Sequence, residues 1–241
     1  MSFEKFGRIV GQTIGKKGFE HLKRKIENFD IEANGLENLE EVKEEAYLLV
    51  ANHIIPNANN KAALKTGISP DAFVLSKLVE ENTGRKIKVA HKADDGWLAE
   101  SAIMQFYQKN IGSPFMRGLS KGVGNIPIQK NPGSFNRDFV KTVDKTIKDK
   151  EPIMIFPEGH WYEDFSVDHK IEPGAAHIAK KYNLKIVPAY INGADSWDGE
   201  NKVRVSFGEP FASEDLSKEE LSQKMFEQIA KLQEELNQEK Q

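Results

Sequence analysis

YLLVANH, Tyr47 to His53, opens with five residues that are apolar or aromatic at every position and ends on two polar ones. A strand covered on one face alternates polar with apolar, so a run without alternation is the mark of a strand covered on both faces. IMIF, Ile153 to Phe156, has the same character. Around these two lie further short runs rich in β-branched residues, at 29–35, 86–90, 125–129, 185–191 and 202–208. Helical patterns fall between them near 71–82, 95–109, 134–149 and 173–182. This alternation predicts an α/β fold, a single domain with a mixed, mostly parallel central sheet and helices on both faces.

The two ends read as amphipathic helices, which divides the chain into 1–28, an α/β domain over 29–212, and 213–241. The C-terminal segment places Leu216, Leu221, Met225, Ile229, Leu232 and Leu236 on one helical face, with Ser213 as the expected N-cap. The N-terminal segment spaces Phe3, Phe6, Val10 and Ile14 in the same way, among Lys5, Arg8, Lys16 and Lys17. Gly7, Gly11 and Gly15 recur every four residues, a spacing that lets another backbone approach closely. Two readings of this helix stand side by side: it packs on the domain, or it lies on an anionic membrane surface.

Composition removes whole classes of function. The 241 residues carry a net charge of -3, so nothing in the balance points to nucleic acid. Charge is unevenly spread, with seven Lys or Arg against three Glu over residues 1–27 and eight acids against four bases over 213–241. Absence of cysteine excludes disulfides, thiolate metal sites and cysteine nucleophiles together. No apolar run approaches the roughly 18 to 20 residues that span a bilayer, and the N-terminus lacks a signal-peptide core. The expectation is a cytoplasmic protein, soluble or peripheral on the inner face of the membrane. Dinucleotide, phosphate-loop, G-x-S-x-G and H-E-x-x-H motifs are all missing.

Three features sit at the ends of expected strands, where open α/β sheets place their sites. They are ANH at 51–53, IFPEGHW at 155–161 and GNIPIQK at 124–130. Each alone is compatible with a purely structural role. His160, Asp164 and His169 lie within ten positions, but no sheet-tethered spacing supports a metal site there, and none is expected.

The order and spacing of these blocks, followed by IVPAYI, resemble the four blocks of the PlsC-like glycerolphosphate and lysophosphatidate acyltransferases. FDIEANGLENLEE is similar to the segment that precedes the first block, and IEPGAAHIAKKYNLKIVPAYING to the approach to the fourth. The resemblance implies transfer of a fatty acyl group from an acyl-CoA or acyl carrier protein thioester to a glycerolphosphate or lysophospholipid hydroxyl, without a cofactor. It implies that His53 is the general base, a role suited to an imidazole titrating near pH 6.5. The family's partner carboxylate lies five residues after its His, where this chain has Ala58. No acid follows until Asp71, which opens a helix after Ser69 and Pro70 as the family's Asp does. Asp71 is therefore read as the partner of His53 across an inserted loop. Glu158 and Gly159 match the third block and are expected to shape the acceptor site, but His160 and Trp161 replace its Thr-Arg. Lys130, in place of an Arg, and Lys92 are the phosphate candidates. Two alternatives stay open: a non-catalytic lipid- or acyl-binding relative, and transfer to a non-phosphorylated acceptor.

Overall fold

The computed structural model describes residues 3–55, 69–92, 118, 122, 124–128 and 137–238. Its strands are β1 (Ile31–Asn34), β2 (Tyr47–Ala51), β3 (Lys88–Lys92), β4 (Ile126–Ile128), β5 (Ile153–Ile155), β6 (Lys185–Asn192) and β7 (Val203–Phe207). Its helices are α1 (Phe3–Ile26), α2 (Glu37–Glu40), α3 (Pro70–Thr83), α4 (Arg137–Lys148), α5 (Gly174–Tyr182) and α6 (Lys218–Gln238). The helix expected over 95–109 and the inserted loop over 56–68 lie outside the described residues. Contacts gather the chain into a smaller unit, 1–23 with 88–146, and a larger one, 24–87 with 147–241.

The larger unit is built on five strands in the order β1-β7-β6-β2-β5. All neighbours run parallel except β6 and β7. This is the mostly parallel α/β arrangement expected. β2 lies between β6 and β5, with Leu49 opposite both Val187 and Met154. It is buried at all five positions, which is why its sequence shows no alternation. Helix α6 packs on β6 and β7, α5 against α6 and β2, and α2 against α3.

Local chemistry sets the ends of these elements. Gly35 adopts φ +71, and a Cβ there would stand 2.0 Å from the carbonyl oxygen of Phe207, so the turn after β1 admits only glycine. Pro70 stands at the first turn of α3, and Gly84 closes that helix in the left-handed conformation. Helix α6 corrects the sequence reading, since its cap is Ser217 rather than Ser213. Ser217 Oγ accepts the Glu220 N–H at 3.1 Å while Glu220 Oε2 accepts the Ser217 N–H at 2.8 Å, a reciprocal capping box. Ser213 has Leu216 where the box requires an acid; it is buried and donates to the carbonyl of Ala179 instead.

In the smaller unit β3 and β4 pair in parallel, with Ala90 opposite Ile126. Gly11 and Gly15 of α1 are buried. Gly118 and Gly122 approach the same helix so closely that a Cβ on either would meet the Arg8 or Gln12 carbonyl oxygen at 2.2 or 2.3 Å. The close approach expected from glycine spacing is thus present on one face of α1, while Phe6, Ile9 and Ile14 stay exposed.

Candidate active site

The site starts where β2 stops. Asn52 has no further strand position to occupy, yet its buried carboxamide continues the ladder. Nδ2 donates to the Ile191 carbonyl at 2.9 Å, and Oδ1 accepts the Ile191 N–H at 2.8 Å. Those two bonds hold the β2 terminus against β6 and fix the direction in which the next residue leaves the sheet.

That residue is His53, and the loop following β5 ties down both its backbone groups. Its N–H donates to Glu158 Oε2 at 2.8 Å. Its carbonyl accepts the Tyr162 N–H at 3.2 Å, and the Ile55 N–H donates to the Tyr162 carbonyl at 2.9 Å. The imidazole lies flat on the Phe156 ring, with centroids 4.0 Å apart and planes 13° from parallel. Backbone and ring are therefore both held before any substrate arrives.

Asp71 reaches this imidazole from the first turn of α3 and is fully buried. Its Oδ2 lies 2.7 Å from His53 Nδ1 and accepts the Ile54 N–H at 3.0 Å, while Oδ1 accepts the Ala72 N–H at 2.6 Å. The His53 ring, the Ile54 N–H and the Ala72 N–H of α3 together satisfy the buried carboxyl, which sits in the first turn of α3, where the helix dipole also favours a negative charge. Ser69 Oγ donates to the Ile54 carbonyl at 3.4 Å, so the chain on either side of 56–68 is joined at its base. The pairing across the long insertion, which the sequence reading required, is present. On the far side of the ring the Trp161 indole N–H donates to His53 Nε2. Its ring meets the imidazole edge-on at 5.5 Å.

Glu158 is fully buried, and protein groups engage both its oxygens. Oε2 takes the His53 N–H, and Oε1 lies 2.8 Å from Nδ1 of His169, whose ring stacks on Tyr162 at 3.6 Å. Burial pushes the Glu158 carboxyl above its ordinary range, against the hydrogen bonds from His169 and from the His53 backbone. Glu158, expected to shape the acceptor site, thus stands behind His53 and holds its main chain. Gly159 adopts φ +63, the left-handed conformation that turns the chain from Glu158 toward Trp161.

The remaining sequence candidates separate. Lys130 lies outside the described residues. Lys92 is the last residue of β3, in the smaller unit, and its side chain lies outside the described residues. His160 is exposed, and no three His, Asp or Glu among the described residues are grouped to hold a metal ion. Sequence reasoning passed over Asn52, Phe156, Trp161 and His169 as site components. Asn52 and Trp161 stood beside the motif residues, but the contacts that give them a role span 139 and 108 positions.

Residues 96–192 match the model of the family described as Acyltransferase. That match spans 97 of the 241 residues and supports an acyltransferase. Among solved structures it is similar to the 1-acyl-sn-glycerophosphate acyltransferase PlsC from Thermotoga maritima, at 18% identity and a TM-score of 0.50. That likeness covers 97% of this chain and 81% of the other, and at such identity it speaks to the fold. No curated protein matches the chain. The family match begins after His53 and Asp71, so their pairing rests on geometry alone. No helix among the described residues is long and apolar enough to cross a membrane.

Proposed function

We propose that this PlsC-like chain transfers a fatty acyl group from an acyl-CoA or acyl carrier protein thioester to the hydroxyl of a lysophospholipid or glycerol-3-phosphate, in glycerolipid synthesis. The observation that carries this reading is the 2.7 Å contact between His53 Nδ1 and Asp71 Oδ2 at the carboxyl end of β2. Asp71 keeps the proton on Nδ1, which leaves Nε2 as the basic nitrogen. Nε2 takes the acceptor hydroxyl proton as the oxygen attacks the thioester carbonyl; the C–S bond breaks, and the sulfur leaves with that proton. An ester and a free thiol result, with no metal, organic cofactor or acyl-enzyme in the balance. Such a base contributes about 10²- to 10⁴-fold in rate. An Asp71 out of reach of His53 would have favoured a binding protein without turnover, and the contact runs against that alternative.

The lysophosphatidate acceptor is supported by the likeness to the 1-acyl-sn-glycerophosphate acyltransferase of Thermotoga maritima and by the order of the sequence blocks. Lys130 and Lys92 are the proposed phosphate ligands. A second reading, a non-phosphorylated alcohol acceptor, draws on Trp161, whose ring meets His53 where the family's third block supplies an Arg. An acceptor panel of lysophosphatidate, glycerol-3-phosphate and a long-chain alcohol, run with palmitoyl-CoA, separates the two readings. Ester formed only with the alcohol would reject the phosphorylated acceptor.

We also propose that α1 brings the protein to the cytoplasmic face of an anionic membrane. Phe6, Ile9 and Ile14 are 52%, 47% and 49% exposed on a segment rich in Lys and Arg. Phe6→Ser with Ile14→Ser should abolish sedimentation with phosphatidylglycerol vesicles; equal sedimentation would reject the contact.

A further inference from the structure

The nitrogen that must receive the acceptor's proton is already engaged. His53 has two ring nitrogens, and Asp71 Oδ2, which also accepts the Ile54 N–H, accepts the hydrogen bond from the protonated Nδ1. That leaves Nε2 with one in-plane lone pair. Trp161 Nε1, which can only donate, points its N–H into that lone pair. An acceptor hydroxyl and the indole therefore compete for one site, and only one of them can hold it. We propose that Trp161 is a specificity-determining residue, a cap on the base that the acceptor must displace and that water displaces poorly. This inference rests on the reading of His53 as the base.

The surroundings indicate which partner moves. His53 is fixed by Asp71 at Nδ1, by Phe156 beneath its ring, and by Glu158 and Tyr162 at its backbone. Trp161 is half-buried, whereas the chain around it is pinned. Tyr162 bridges Ile54 in parallel, and Pro157 accepts the Glu172 N–H at 2.8 Å. Displacement is thus a rotation of the indole about its own side-chain torsions, with the backbone left in place. An acceptor bound through the rest of its structure can spend that binding energy on turning the indole aside. Water brings no such energy, so the thioester is spared hydrolysis until the acceptor is seated. The reaction held back is water attacking the thioester carbonyl: a C–O bond forms, the C–S bond breaks, and the proton taken by Nε2 leaves on sulfur. Its products are a free fatty acid and a thiol.

Trp161→Phe keeps an aromatic ring and removes the N–H. A hydrogen bond of ordinary net strength corresponds to roughly three- to tenfold. In Trp161→Phe, thiol release from palmitoyl-CoA without acceptor should rise by about that factor. The KM for oleoyl lysophosphatidate should fall, and by a larger factor than any change in kcat for transfer. Acceptor-independent release that is unchanged or lower overturns the cap, and so does a fall in kcat at constant KM, the signature of a packing residue. His53→Ala in the Trp161→Phe background should abolish the added hydrolysis. Hydrolysis that survives there rejects His53 as the base, a failure distinct from that of the cap. If the Phe variant does not fold, the wild-type chain supplies a second test. One of its three indole N–H resonances should shift toward the solvent-exposed value on addition of oleoyl lysophosphatidate, and no shift in any of them overturns the inference.

Discussion

The larger unit holds two histidine–carboxylate pairs of nearly the same geometry. Nδ1 lies 2.7 Å from a buried carboxylate in His53–Asp71 and 2.8 Å in His169–Glu158. Each imidazole stacks on an aromatic ring, Phe156 or Tyr162, and each is about one-fifth exposed, at 20% and 19%. What differs is what else the members touch. Asp71 sits at a helix N-terminus and serves His53 with help from two backbone N–H groups, whereas Glu158 divides its oxygens between His169 and the backbone of His53. Nε2 of His53 meets an indole N–H, while among the described residues no donor meets Nε2 of His169. A histidine on a carboxylate is therefore not in itself a base. Under the proposed function the first pair is arranged around the reacting nitrogen, whereas the second holds the backbone of the first in place.

That distinction can be broken by substitution. Asp71→Asn should cost about 10²- to 10⁴-fold in kcat with the fold retained, up to the loss of a triad carboxylate, while Glu158→Gln should cost tenfold or less. Comparable losses in thiol release would make the two carboxylates equivalent and contradict the assignment. Next in size is Asn52→Ala, which leaves both the N–H and the carbonyl of Ile191 without their buried partners. It should destabilise the protein by about 2 to 3 kcal/mol and depress activity, as read by urea unfolding and thiol release. A control away from both pairs, Ser217→Ala, should cost about 1 kcal/mol in unfolding free energy and leave kcat unchanged.

The smallest effect concerns pH. Burial raises the Glu158 carboxyl above its usual value of 4.5, so the folded state favours the neutral form. Its contribution to stability is complete below the unfolded value and is lost as pH rises through the raised folded value. A neutral glutamine at this position has no such loss. Melting temperatures of Glu158→Gln relative to wild type should therefore move in the variant's favour between pH 4 and pH 8. The opposite trend would mean that His169 and the His53 N–H outweigh burial.

Much of this was legible in the sequence because it depends on local physics. YLLVA announced a strand buried on both faces, and it occupies an inner place in its sheet. Asp71 could be named as the partner of His53 only through the resemblance, because Ser69, Pro70 and Asp71 spell a helix start like the one the family's Asp opens. Misreading Ser213 as a cap was avoidable, since only Ser217 has an acid three residues on. Trp161 and His169 were another matter. His169 was weighed as a metal ligand beside His160 and Asp164, its sequence neighbours, whereas its ring in fact stacks on Tyr162 and its nitrogen meets Glu158. Those contacts arise from the path of the loop after β5, which the turn at Gly159 sets, and no periodicity encodes that path.

One measurement bears on the central claim most directly. Purified His53→Ala and His169→Ala, each verified as folded by circular dichroism, are assayed beside wild type for thiol release from palmitoyl-CoA with oleoyl lysophosphatidate. The account predicts a loss of at least about 10²-fold for His53→Ala and tenfold or less for His169→Ala. Turnover retained in His53→Ala, or equal losses in the two variants, would contradict it.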